Sequence, residues 1–148
     1  MRWLPLFLLF PFAAHAADTH ITVEYTLTQE RVGPPPIIVH PRITVQLVLH
    51  EDGTVDDYTH VPGPYAQNTA HASRLGEQRV KVVNSHTITR SWSTGPQKRK
   101  LTVVTSGNNC TARLEISGPS EFAAYSTYLN TRAVYRNAHL ESINCRIE

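Results

Sequence analysis

Cysteine is scarce in this chain: two residues in 148, Cys110 and Cys145. They stand far apart, which excludes the Cys-x-x-Cys spacing of thiol redox catalysts. No Gly-x-Ser-x-Gly elbow is present to expose a nucleophilic serine, and no glycine-rich loop is present to cradle a phosphate. No two histidines stand two or four positions apart, the spacings that put paired zinc ligands on one face of a strand or helix. Beyond the first 16 residues no apolar run is long enough to span a hydrocarbon core of about 30 Å. Internal repeats and low-complexity tracts are also missing. These absences leave a chain without an announced catalytic centre, and no cofactor is expected.

What is there begins with a leader. Met1-Arg2 is followed by an apolar stretch from Trp3 to Ala14, and Ala14-His15-Ala16 has the small-x-small form that precedes signal-peptidase cleavage. Residues 1–16 are therefore expected to be a signal peptide, and 17–148 a single mature domain in the periplasm or outside the cell, with a bacterial source the expected one. Two cysteines in an oxidising compartment suggest one disulfide, Cys110–Cys145. Charge is divided along the chain. Residues 17–77 hold 3 basic and 8 acidic residues, net −5, whereas residues 78–148 hold 10 basic and 4 acidic, net +6. Two complementary layers of one fold would explain such a split, as would acidic and basic ends offered to neighbouring copies.

Apolar residues recur mostly at every second position, the period of half-buried strands. Ile21, Val23, Tyr25 and Leu27 alternate with threonines and Glu24; Ile43, Val45, Leu47 and Leu49 form a second face. Gly33-Pro34-Pro35-Pro36 between them reads as a stiff connector. Glu51-Asp52-Gly53 predicts a three-residue hairpin loop that pairs Leu49 with Val55, Leu47 with Asp57 and Ile43 with Val61. The polar stretch 65–76 reads as a long loop of the kind that often carries function. Arg79–Trp92 reads as one long strand or two joined near Asn84-Ser85, and Lys100–Thr105 and Cys110–Ser117 as further strands. Residues 121–136 fit either a short helix capped by Ser120 and carrying Phe122, Tyr125 and Leu129 or, the preferred reading, a hairpin turning near Asn130, and a last strand is expected over Leu140–Ile147. Seven to nine short strands with Gly/Pro turns predict an all-β, antiparallel β-sandwich, immunoglobulin-like or similar.

The closing pattern is Gly107-Asn108-Asn109 before Cys110, then Asn144-Cys145-Arg146-Ile147 at the end. It resembles small exported bacterial β-rich proteins of unknown function. The resemblance implies a disulfide-closed β-domain and assigns no site.

Three groups of side chains are candidates for recognition. Trp92 lies across a turn from Lys98, Arg99 and Lys100, a set suited to an anionic glycan or other polyanion; export argues against nucleic acid. Tyr125 and Tyr128, near Phe122, Tyr135 and Arg132, would suit sugar or peptide binding. On the predicted hairpin His50 and Asp56 share a polar face with His60 at its far end, a possible set of metal ligands. Asp56 and Asp57 point to opposite faces of a strand and cannot act together. The leading expectation is a non-catalytic exported domain that binds an envelope or extracellular partner, a glycan, a polyanion or a protein. The alternatives are a metal-binding protein or metal-dependent enzyme using the 50–60 hairpin, and a self-assembling envelope protein.

Overall fold

The alternating segments become strands because β-branched and aromatic side chains fit a pleated surface with one buried face. A computed structural model describes residues 18–59, 80–126 and 131–148. The leader at 1–16, the polar stretch 65–76, Val61 and Asn130 lie outside the described residues. These described residues form ten strands: β1 (Thr19–Arg31), β2 (Ile37–Val39), β3 (Arg42–Leu49), β4 (Val55–Asp57), β5 (Val80–Asn84), β6 (Thr87–Thr94), β7 (Gln97–Ser106), β8 (Asn109–Ser117), β9 (Glu121–Ser126) and β10 (Thr131–Ile147). Among the described residues there is no helix.

The strands make two antiparallel sheets. The first runs β4-β3-β1-β10-β9, with β2 paired to the far end of β1; the second is the meander β5-β6-β7-β8. The expected sandwich is thus present. Sequence neighbours pair within each sheet, and the first long strand closes on the last, so the connectivity is up-and-down rather than the Greek key of immunoglobulin domains. Ile21, Val23, Tyr25, Leu27, Val45 and Leu47 of the first sheet meet Ile88, Leu101 and Val103 of the second in one buried cluster. The Cys110–Cys145 disulfide joins β8 to β10 across the layers, with Cα atoms 5.6 Å apart.

The strand count exceeds the expected seven to nine, partly because of β2. The prolines stop the β1 ladder as expected, but they turn the chain back rather than space it out. Ile37–Val39 then pairs with Gln29–Arg31, the part of β1 that β3 does not cover. The stretch from residue 79 to 92 resolves into the two-strand alternative, β5 and β6, with Asn84 capping the turn through its Oδ1 and the His86 N–H, 2.8 Å away. The β3–β4 hairpin has the expected register, Leu49 opposite Val55 and Leu47 opposite Asp57, with Gly53 at φ 85°.

The longest difference is β10, which starts at Thr131 rather than Leu140. Its ladder with β1 shifts register between Thr26 and Leu27, and again between Thr28 and Glu30. Each shift adds a residue to β10 and resets which positions face inward. Leu140 and Ile143 both face β1's buried residues across an odd spacing for that reason, and Asn137 takes φ 55°, a left-handed value that asparagine tolerates. A strict two-residue period therefore loses the strand at its bulges. The expected hairpin over 121–136 is present as the β9–β10 pairing.

Candidate functional site

The β6–β7 turn sets the geometry of the outer face of the second sheet. Gly95-Pro96 is its two-residue loop. Gly95 has φ 58° and proline fixes φ near −65°, which together select a type II′ turn. A Cβ on Gly95 would lie 2.8 Å from the Ala123 carbonyl oxygen of β9, so the turn is seated against the first sheet. From this turn, strict alternation sends Gln97, Arg99, Leu101 and Val103 inward, all buried, and leaves Lys98 and Lys100 on the outer face. Cross-strand register then lines up Ser93, Lys98 and Ser117 in one row and Ser91, Lys100 and Glu115 in the next. Thr89, Thr102 and Arg113 make a third row, extended by Lys81 of β5. A shallow depression of about 620 Å³ lies over the first two rows.

Hydroxyls and cations therefore dominate this surface. Among the described residues Lys81, Lys98 and Lys100 have no carboxylate within ion-pair distance, and Arg113 approaches only Glu115, at 3.7 Å with both side chains exposed. The strands of the second sheet, residues 80–117, carry six basic residues and one acidic, net +5. The other described residues carry five basic and ten acidic, net −5. The two layers have opposite signs, yet one ion pair bridges them among the described residues: Arg90 Nε on β6 donates to Asp57 Oδ2 on β4 at 2.7 Å.

The residues expected to bind together are split by the pleat. Trp92 sits on the inner side of β6, half-buried, with the Arg90 guanidinium 4.7 Å from its ring centroid. Arg99 is 7 % exposed and points between the sheets, which removes it from an external binding surface. Its Nε and Nη2 both donate to Gln97 Oε1, at 3.2 and 3.0 Å, and its guanidinium lies 5.3 Å from the Phe122 ring centroid. Burial works against its charge, pulling its pKa below the usual arginine value. Phe122 stacks on Tyr135, with centroids 5.9 Å apart, and both are core residues. Tyr125 contributes backbone to β9, and Tyr128 lies outside the described residues. The sequence made Lys98–Lys100 conspicuous as a basic run. The flanking Ser91, Ser93 and Ser117 gave no signal until the register aligned them.

On the hairpin His50 and Asp56 come together as expected, with Nε2 2.6 Å from Asp56 Oδ2. His50 Nδ1 lies 3.1 Å from Asp18 Oδ1, a partner the sequence reading missed because it precedes β1. Tyr58 donates to Asp56 Oδ2 at 3.2 Å. Hydrogen bonds that the ring donates, first to Asp56 and then to Asp18, raise the imidazole pKa. The two carboxylates meet opposite edges of the ring, the arrangement of a protonated imidazole donating twice. A metal would need one of these nitrogens unprotonated. His60 lies outside the described residues, which contain no group of three histidine, cysteine or acidic side chains arranged to hold a metal.

One further cluster has the residue types of a catalytic triad. Thr28 Oγ1 lies 3.2 Å and Glu141 Oε2 3.1 Å from the same atom, His40 Nδ1. A relay needs the hydroxyl and the carboxylate on different ring nitrogens, so this exposed group is not arranged to activate Thr28. No protein-family model, curated protein or solved structure matches the chain. No helix among the described residues is long and apolar enough to cross a membrane.

Proposed function

We propose that this protein is a non-catalytic exported domain that binds an anionic partner, best an acidic glycan of the envelope or surroundings, on the outer face of β6-β7-β8. The observation that carries the reading is the pair Lys98 and Lys100, side by side on an open face shared with Ser91, Ser93, Ser117 and one carboxylate, Glu115, with neither lysine in an ion pair among the described residues. Ammonium groups left unpaired on a surface attract polyanions, and neighbouring hydroxyls suit the oxygen-rich edge of a sugar. The leader read at residues 1–16 would deliver the chain to the periplasm or beyond, and a structural disulfide is compatible with an oxidising compartment.

Titration with a polyuronate, followed by calorimetry at low and at high salt, tests the reading, with dextran as the uncharged control. Binding to the polyuronate alone, weakened by salt, is the expected result. Replacing Lys98 and Lys100 together by alanine should weaken it roughly tenfold or more, because both cations contribute to one field. Affinity unchanged by that double replacement, or no binding at low salt, would sink the reading.

A further inference from the structure

Among the described residues β8 is the longest of the strands that end a sheet: nine residues without proline, against six in β9, five in β5 and three each in β2 and β4, while β10 also has one side uncovered by β9 over residues 137–147. Its direction of hydrogen bonding follows from the β7–β8 turn. Ser106 and Asn109 close the two-residue loop Gly107-Asn108 and so exchange hydrogen bonds with each other. Counting along the strand, Thr111, Arg113, Glu115 and Ser117 bond to β7. Ala112, Leu114 and Ile116 therefore turn their N–H and C=O groups away from β7, and among the described residues no backbone hydrogen bond reaches them, although β10 runs close by and the disulfide ties Cys110 to it. The side chains of these three are only half-buried, although they pack on the core.

We infer that this edge pairs with β8 of a second copy, antiparallel and centred on Leu114. In that register Ala112 faces the partner's Ile116, Leu114 faces the partner's Leu114, and the outward groups of all three form about six backbone hydrogen bonds. On the outer face Arg113 lies beside the partner's Glu115, and Glu115 beside the partner's Arg113. Centring the pair on Arg113 or on Glu115 instead would set identical charges directly opposite, so charge selects one register. Charged edge residues ordinarily discourage such pairing; here the two signs stand two positions apart, which makes the edge complementary to its own reverse. The product is one eight-stranded sheet. Its two halves present their outer faces to the same side, because the symmetry axis of an antiparallel pair stands perpendicular to the sheet. This inference goes beyond the binding proposal and does not depend on it.

Sedimentation equilibrium of the disulfide-bonded chain, from micromolar to near-millimolar concentration, provides the test. A dimer that weakens with added salt is expected. Arg113→Glu and Glu115→Arg each oppose like charges in the register centred on Leu114, and each should weaken dimerisation roughly tenfold or more. Both residues are well exposed, at 72 % and 51 %, so the fold should persist, with unchanged circular dichroism as the check. An equimolar mixture of the two variants brings opposite charges together again and should restore the dimer, as should both reversals in one chain. A wild-type chain that stays monomeric overturns the inference, as does association indifferent to the single reversals, or a mixture that remains monomeric.

Discussion

On the outer face of the first sheet Glu24 is gripped by Arg42 at 2.6 Å and by Arg146 at 3.2 Å, and Glu30 by Arg136 through bonds of 2.6 and 3.0 Å. On the outer face of the second sheet Lys81, Lys98 and Lys100 stand without such partners among the described residues, although the same alternation made both surfaces. The difference lies in which strands became neighbours. Acid-bearing β1 runs between β3 and β10, and both supply arginines to it. The lysines of β5 and β7 sit among strands whose outer positions are mostly serine and threonine. Paired charge on one outer face and open charge on the other give the molecule a polarity that its overall net charge conceals, and the open cations are what the proposed binding on the second sheet would use.

The contrast is disturbed most deeply by uncoupling the layers. Replacing Cys110 and Cys145 by serine opens a 35-residue link and should cost about 4 kcal/mol in urea unfolding on the chain-entropy model. Asp57→Asn comes next. It leaves Arg90 largely buried without its carboxylate, a loss of about 3 kcal/mol on the same assay. A smaller loss would mean that stacking on Trp92 holds the guanidinium by itself. Exchange of surface charge sharpens the contrast more gently. Arg42→Ala on the first sheet should leave polyuronate affinity within about twofold, because Arg42 is already matched by Glu24, whereas the Lys98/Lys100 double replacement should lower affinity with little change in unfolding midpoint.

The smallest expected effects are in pH. Arg42 and Arg146 hold the Glu24 carboxyl below the usual carboxylate range, and Arg136 does the same for Glu30. Their contribution to stability is therefore present above the ordinary value of 4.5 and is lost as pH falls through the lower folded values. His50 has the opposite sign. Its pKa is raised, so its contribution is complete below 6.5 and is lost as pH rises through the folded value. Stability measured against pH should separate the two: Glu30→Gln flattens the acid side of the profile, and His50→Asn flattens the fall above 6.5. A profile unchanged by either substitution would mean that these pairs do not hold in solution.

Much of this was legible in the sequence because it is local. Alternation identified β1, β3 and β8. Asp52-Gly53 fixed a hairpin register that carried His50 to Asp56 and sent Asp57 to the opposite face. Other features were hidden for definite reasons. The bulges of β10 broke the period that would have revealed its length. The run Lys98-Arg99-Lys100 looked like one patch, although neighbouring residues of a strand necessarily face opposite ways.

The amino-acid sequence by itself determined where strands and turns form, which residues share a face, and that two cysteines were available for a bridge, because these depend on dihedral preferences and on a period of two. Only the tertiary structure decided which strands lie side by side. That choice arises from burying the apolar faces of two sheets against each other and closing the first long strand on the last. It brought the arginines of β3 and β10 to the acids of β1, buried Arg99 beside Phe122, and left Lys98 and Lys100 open to solvent.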